Sequence, residues 1–186
     1  PLVGFDKNLP GYGAQEYLNK LGYVPDAVSL FVFNPDIVNL HEGMAREEML
    51  PLTMSNYHGS IRNELREIQQ WSNYELRGLC DELHRRGVKP LMGLMGVDNG
   101  EPKPVDLGAF SPHCYSRQRF LRRHPELFAC HPSGVANLNV LKRFADGGYY
   151  EDYFARKLAE ALIDYHMAGV HLADAIMPQG PSAWCV

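Results

Sequence analysis

The alternation of apolar and polar positions is clearest between Gly148 and Pro178, GYYEDYFARKLAEALIDYHMAGVHLADAIMP. Apolar or aromatic residues recur at Tyr150, Tyr153, Phe154, Leu158, Ala161, Leu162 and Tyr165, a helical spacing that turns one face toward a core. Gly169 is read as the stop of that helix, and the apolar run Val170 to Asp174 as the strand that follows it in an α/β unit. The same alternation of strand and helix patterns recurs upstream. Leu2 to Asp6 predicts a first short strand, Ala14 to Leu21 a helix ended by Gly22, and Ala27 to Phe33 a second strand buried on both faces. Ser72-Asn73-Tyr74-Glu75 has the form of a capping box, in which the serine accepts from the third helical amide while the glutamate reaches back to the serine amide. The helix it opens buries Leu76, Leu79, Cys80 and Leu83 and stops at Gly87. Val88 to Val97 is the third strand. The stretches 36–70 and 101–145 hold no sustained period and read as long excursions, the second rich in proline, histidine and arginine, as the walls or lids of a site often are.

This order predicts an α/β fold of sequential units, which build either a doubly wound sheet or a (β/α)8 barrel. Each predicted strand ends on Asp or Asn, at Asp6, Asn34, Asp98 and Asp174. Such residues are favoured in turns and as helix caps. Their recurrence at the strand ends where parallel sheets bind ligands points to a polar pocket instead. Asp174 is the leading catalytic candidate, with Asp98, Asp6 and Asn34 as substrate-binding candidates. Val170, Leu172 and Asp174 share a strand face by the period of two, so an inward Asp174 turns His171 toward the helices. A bulge near the strand end reverses that and adds His171 to the substrate-binding set.

Composition narrows the chemistry. A chain of 186 residues with 45% hydrophobic residues suits a single globular domain over 1–186. A net charge of −4 supplies no basic field for nucleic acid, so a small or neutral substrate fits better. The four cysteines, Cys80, Cys114, Cys130 and Cys185, form no CxxC pair and read as free thiols. No stretch approaches the ~20 apolar residues of a membrane span. The first residues, PLVGFDKNLPG, lack the look of a signal peptide, which favours a cytoplasmic location. The histidines His41, His58, His113, His124 and His131 are dispersed, and His41-Glu42 does not continue as HExxH, so neither a metal nor another cofactor is expected. No GxGxxG, GxxxxGK[ST] or GxSxG motif is present. Tyr57, Tyr115, Tyr149 and Trp184 are candidate stacking platforms for the apolar face of a sugar.

The segment SNYELRGLCDELHRRGVKPLMGL, the His124-Pro125-Glu126-Leu127-Phe128 block with Gly134 after it, and the helix leading into AGVHLADAIMP together resemble the N-terminal half of a bacterial (β/α)8-barrel glycoside hydrolase of the α-amylase and α-galactosidase groups. The resemblance covers residues 70–178. It implies the first four β/α units of a TIM barrel, a carbohydrate substrate, and a nucleophilic Asp174 at the end of strand four. It also implies a second carboxylate beyond Val186 that protonates the leaving oxygen. Leu172 stands where the amylase pattern has an arginine, so the chain departs from a strict amylase. A half barrel leaves a strand edge open to the remaining half or to self-association. Two alternatives stand beside the glycosidase: a non-catalytic carbohydrate-binding or assembly half barrel, and a metal-dependent sugar-phosphate barrel enzyme using Asp98, Asp174 and a histidine.

Overall fold

A computed structural model describes residues 2–32, 36–50, 69–94, 120, 123–130, 136–138 and 142–172. The described chain is α/β. Its frame is a parallel sheet of β1 (Ala27–Val32), β2 (Lys89–Leu94) and β5 (Gly169–Leu172), in the order β1-β2-β5. The register sets Ser29 opposite Leu91 and Leu91 opposite Gly169, then Phe31 opposite Gly93 and Gly93 opposite His171. A short antiparallel pair, β3 (Phe128–Cys130) and β4 (Ala136–Leu138), lies within the second excursion.

Among the described residues the strands are accompanied by the α-helices α1 (Ala14–Leu21), α2 (Asp36–Asn39), α3 (Asn73–Arg85) and α4 (Tyr150–Asp164). The capping box of α3 is formed, with Glu75 N donating to Ser72 Oγ at 3.2 Å and Ser72 N donating to Glu75 Oε2 at 2.7 Å. Its stripe of Leu76, Leu79, Cys80 and Leu83 is fully buried. These side chains meet Val28, Leu30, Met92, Leu94 and Val170 from the sheet in one core, so the helices cover a single sheet face. No described helix is long and apolar enough to cross a membrane.

Three expectations need correction. Leu2 to Asp6 is no strand: Leu2–Gly4 is a turn of 3-10 helix, and the described sheet has three strands where four units predict four. Leu2 and Phe5, both buried, are three residues apart, which a 3-10 turn places on one side and an extended strand would split. Gly169 does not stop α4; it opens β5. The helix ends at Asp164, and the left-handed residue of the exit is His166, at φ 54°. Met167 N donates to Leu162 O at 2.8 Å across it, the long closing bond of a Schellman turn. Finally, His171 does not face the helices. Val170 joins the helix-side core, and His171 lies on the opposite face of the sheet.

Candidate functional site

Asp174, Asp98 and Asn34 lie outside the described residues, as do Tyr57, Tyr115 and Trp184. The two remaining acid and histidine candidates are placed far apart in role. Asp6 shapes its own turn: its Oδ1 accepts from Asn8 N at 3.0 Å and from Gln69 Nε2 at 2.6 Å. Lys7 beside it donates to Gln70 O at 2.6 Å and pairs with Glu75 at 3.1 Å, which fixes the N-terminal segment to the start of α3. The carboxylate thus serves a local fold, as turn aspartates commonly do.

His171 is exposed, one residue before the end of β5. Its Nδ1 lies 3.0 Å from Ser29 Oγ on β1, so the imidazole reaches across β2 to the other outer strand. Ser29 and His171 share the sheet face opposite Val28, Leu30, Met92 and Val170. The imidazole and the hydroxyl on that face both carry donor and acceptor capacity.

A second polar group joins α2, which follows β1, to α4. Asn39 is buried, and Tyr150 donates to its Oδ1 at 3.0 Å while Tyr153 donates to its carbonyl at 2.5 Å. Burial pushes the Tyr150 phenol well above its ordinary range, so it acts as a fixed donor and not as a base. Asp36, also buried, stands at the first position of α2. Around these lie Phe120, Phe144, Leu127 and Phe154, with Phe120 stacked on Tyr153 at a centroid distance of 5.5 Å. His41 is buried too; its Nε2 donates to Asp164 Oδ2 at 2.6 Å, and Lys157 donates to its carbonyl at 2.8 Å. Tyr149 is 39% exposed, with the Arg143 guanidinium 4.1 Å from its ring centroid, so a cation already occupies one face of that platform.

Sequence reasoning passed over Ser29, Asn39, Tyr150 and the His41–Asp164 pair as polar sites. Each acts through a partner more than a hundred residues away, at separations of 142, 111 and 123, and no local spacing signals such pairs. Tyr150 lies on the predicted apolar face of the helix and is 1% exposed. Among the described residues no group of three or more His, Cys, Asp and Glu is arranged to hold a metal ion. Cys80, buried on α3, has its thiol pushed up to about 12 by burial, with Asp81 adding to the shift, which leaves it unreactive at neutral pH. No family model matches the chain, and neither does any curated protein or solved structure.

Proposed function

We propose that this chain is the N-terminal part of a (β/α) barrel that hydrolyses glycosidic bonds. The observation that carries the reading is the sheet: three parallel strands in sequence order, covered by helices on one face, with Ser29 and His171 on the other. That is the layering of consecutive β/α units, in which the face away from the helices looks toward the barrel axis and ligands bind at the C-terminal strand ends. Asp174, two residues past β5, is the proposed nucleophile. In a retaining reaction its carboxylate attacks the anomeric carbon, the C–O bond to the leaving group breaks, and a second carboxylic acid gives that oxygen its proton. Water then releases the sugar as the acid, now a base, takes a proton from it. The barrel is completed by further strands of the same protein or by another copy.

The test is hydrolysis of a panel of 4-nitrophenyl glycosides by the natural gene product and by its Asp174→Asn variant, with monosaccharide binding measured on both. Turnover that falls by orders of magnitude in the variant while binding persists supports the nucleophile. Turnover indifferent to the substitution removes Asp174 from the mechanism. Binding without any turnover in the natural protein would leave the non-catalytic carbohydrate-binding reading in its place.

A further inference from the structure

We infer that His166 is a proton-operated release for Arg77, built into the exit of α4: the neutral imidazole holds the guanidinium, and a second ring proton lets it go. The inference stands apart from the glycosidase reading. Along α3, Arg77, Asp81 and His84 recur at helical spacing, and all three meet His166. Arg77 Nη2 lies 3.0 Å from His166 Nε2, and Asp81 Oδ1 lies 2.6 Å from Nδ1. His84 Nε2 donates to the His166 carbonyl at 2.7 Å. A basic and an acidic residue four apart on a helix are spaced to pair with each other directly. Here each goes instead to a different nitrogen of one imidazole.

The partners decide the state of the ring. A guanidinium has donors only and stays charged, so Nε2 must meet it with a lone pair. The imidazole is therefore neutral, its one proton sits on Nδ1, and Asp81 Oδ1 accepts it. A proton added at Nε2 sets two donors and two cations against each other across 3.0 Å, and Arg77 has to leave. The Asp81 contact gains from the same proton, because both of its partners are then ionised. The turn thus keeps its ties to Asp81 and His84 in either state, and what changes is Arg77. Among the described residues, the groups that α3 turns to His166 are Arg77, Asp81 and His84. On α4 the neighbouring acid, Asp164, pairs with His41, and β2 meets the turn through the Pro90 carbonyl, which accepts from Ala168 N at 2.8 Å. Histidine is the side chain that ordinarily changes charge between about pH 5 and pH 8, which sets the range to search.

The experiment reads the ring and the guanidinium together by nitrogen-15 NMR on the whole chain, between about pH 8 and about pH 5. The His166 ring signals are identified by their loss in His166→Asn, and the Arg77 Nε–H signal by its loss in Arg77→Lys. Asparagine tolerates the left-handed backbone of this position and does not titrate, so the same variant serves as the control. At the upper pH we expect His166 to carry its proton on Nδ1 with Nε2 bare, and Arg77 Nε–H to show the heteronuclear NOE of an ordered group. On acidification the Arg77 NOE should be lost in step with the change in the His166 ring signals, and in His166→Asn it should not respond to pH. A His166 proton found on Nε2 at the upper pH overturns the assignment of the ring. An Arg77 NOE that stays constant while His166 titrates, or a pH response that persists in His166→Asn, overturns the release. Should His166→Asn fail to fold, the wild-type tautomer and the joint titration of ring and guanidinium still decide the question.

Discussion

Three consecutive residues, Gly11, Tyr12 and Gly13, hold left-handed backbone angles, with φ of 59°, 57° and 73°. Tyr12 is the costly one, since a side chain crowds its own carbonyl there. What holds it is its seat: the phenol packs directly on the backbone of α3 at Gly78, where an added methyl would overlap the ring. Gly78→Ala sets two effects against each other. Helix propensity favours alanine by about 1 kcal/mol. Overpacking costs about 1 to 3 kcal/mol, and the ring pinned between two glycines has little room to give. We expect a net loss of about 1 kcal/mol in urea unfolding. A stabilised variant would mean that the phenol swings aside freely and that the seat contributes nothing.

At the scale of the element, the exits of α3 and α4 are the same turn made with different residues. Val88 N donates to Leu83 O across Gly87 at φ 78°, and Met167 N donates to Leu162 O across His166 at φ 54°. Nothing lies within 4 Å of a Cβ added at Gly87, so Gly87→Ala isolates the backbone strain. It should lower stability by about 1 kcal/mol. His166 already bears that strain, and its compensations are exposed: Nδ1 at 2.6 Å from Asp81, and Nε2 at 3.0 Å from Arg77. Exposed pairs contribute about 0.2 to 1 kcal/mol. His166→Gly is therefore expected to leave the thermal midpoint unchanged or raised, and a fall of several degrees would show that the α3 contacts outweigh the strain.

The same pair of turns marks how far the sequence could be read. Gly87 announces its turn, and the prediction there holds; His166 carries no such signal, and the next glycine, Gly169, drew the helix boundary away from Asp164. Period and capping identified α1, β1, α3, β2 and the body of α4, because each depends on neighbours within a turn or two. Leu2 to Asp6 failed because two apolar residues three apart fit either a strand end or a 3-10 turn, and burial of both selects the turn. For the site, the chain order was enough to bring His171 to the end of a parallel strand. Ser29 was out of reach, since only the assembled register brings β1 and β5 to either side of Gly93.

On the scale of the whole molecule, the described core has two parts. One lies beneath the sheet; the other gathers Phe120, Leu127 and Tyr150 at the start of α4, and Phe154 packs against both. The 123–130 segment is also tied to α4's approach by a polar contact: Glu126 Oε1, which meets His124 Nδ1 at 3.2 Å within the segment, accepts from Ala145 N at 3.4 Å. Its own backbone amide, then His124 and Ala145, hold the Glu126 carboxyl below the usual carboxylate range. A folded-state value below the unfolded one contributes stability above the unfolded value, and the contribution is lost as pH falls through the folded value. Thermal midpoints followed from about pH 6 down to about pH 3 should therefore fall less steeply in Glu126→Gln than in the wild type. Parallel slopes would show that the carboxylate is as well solvated unfolded as folded.

The register carries a kinetic consequence. Pairing Ala27 with Lys89 closes 62 residues of chain, and pairing Leu91 with Gly169 closes 78. Loop-closure entropy grows only with the logarithm of length, about 0.6 kcal/mol per doubling, so extra residues between these strands weigh little on equilibrium stability. They weigh on speed, because non-local pairings must be searched for before any of their contacts reward the search. The excursions between the strands are thus nearly free to lengthen or diverge once the protein is folded, and it is the newly made chain, waiting for the third strand of the described sheet, that bears their cost.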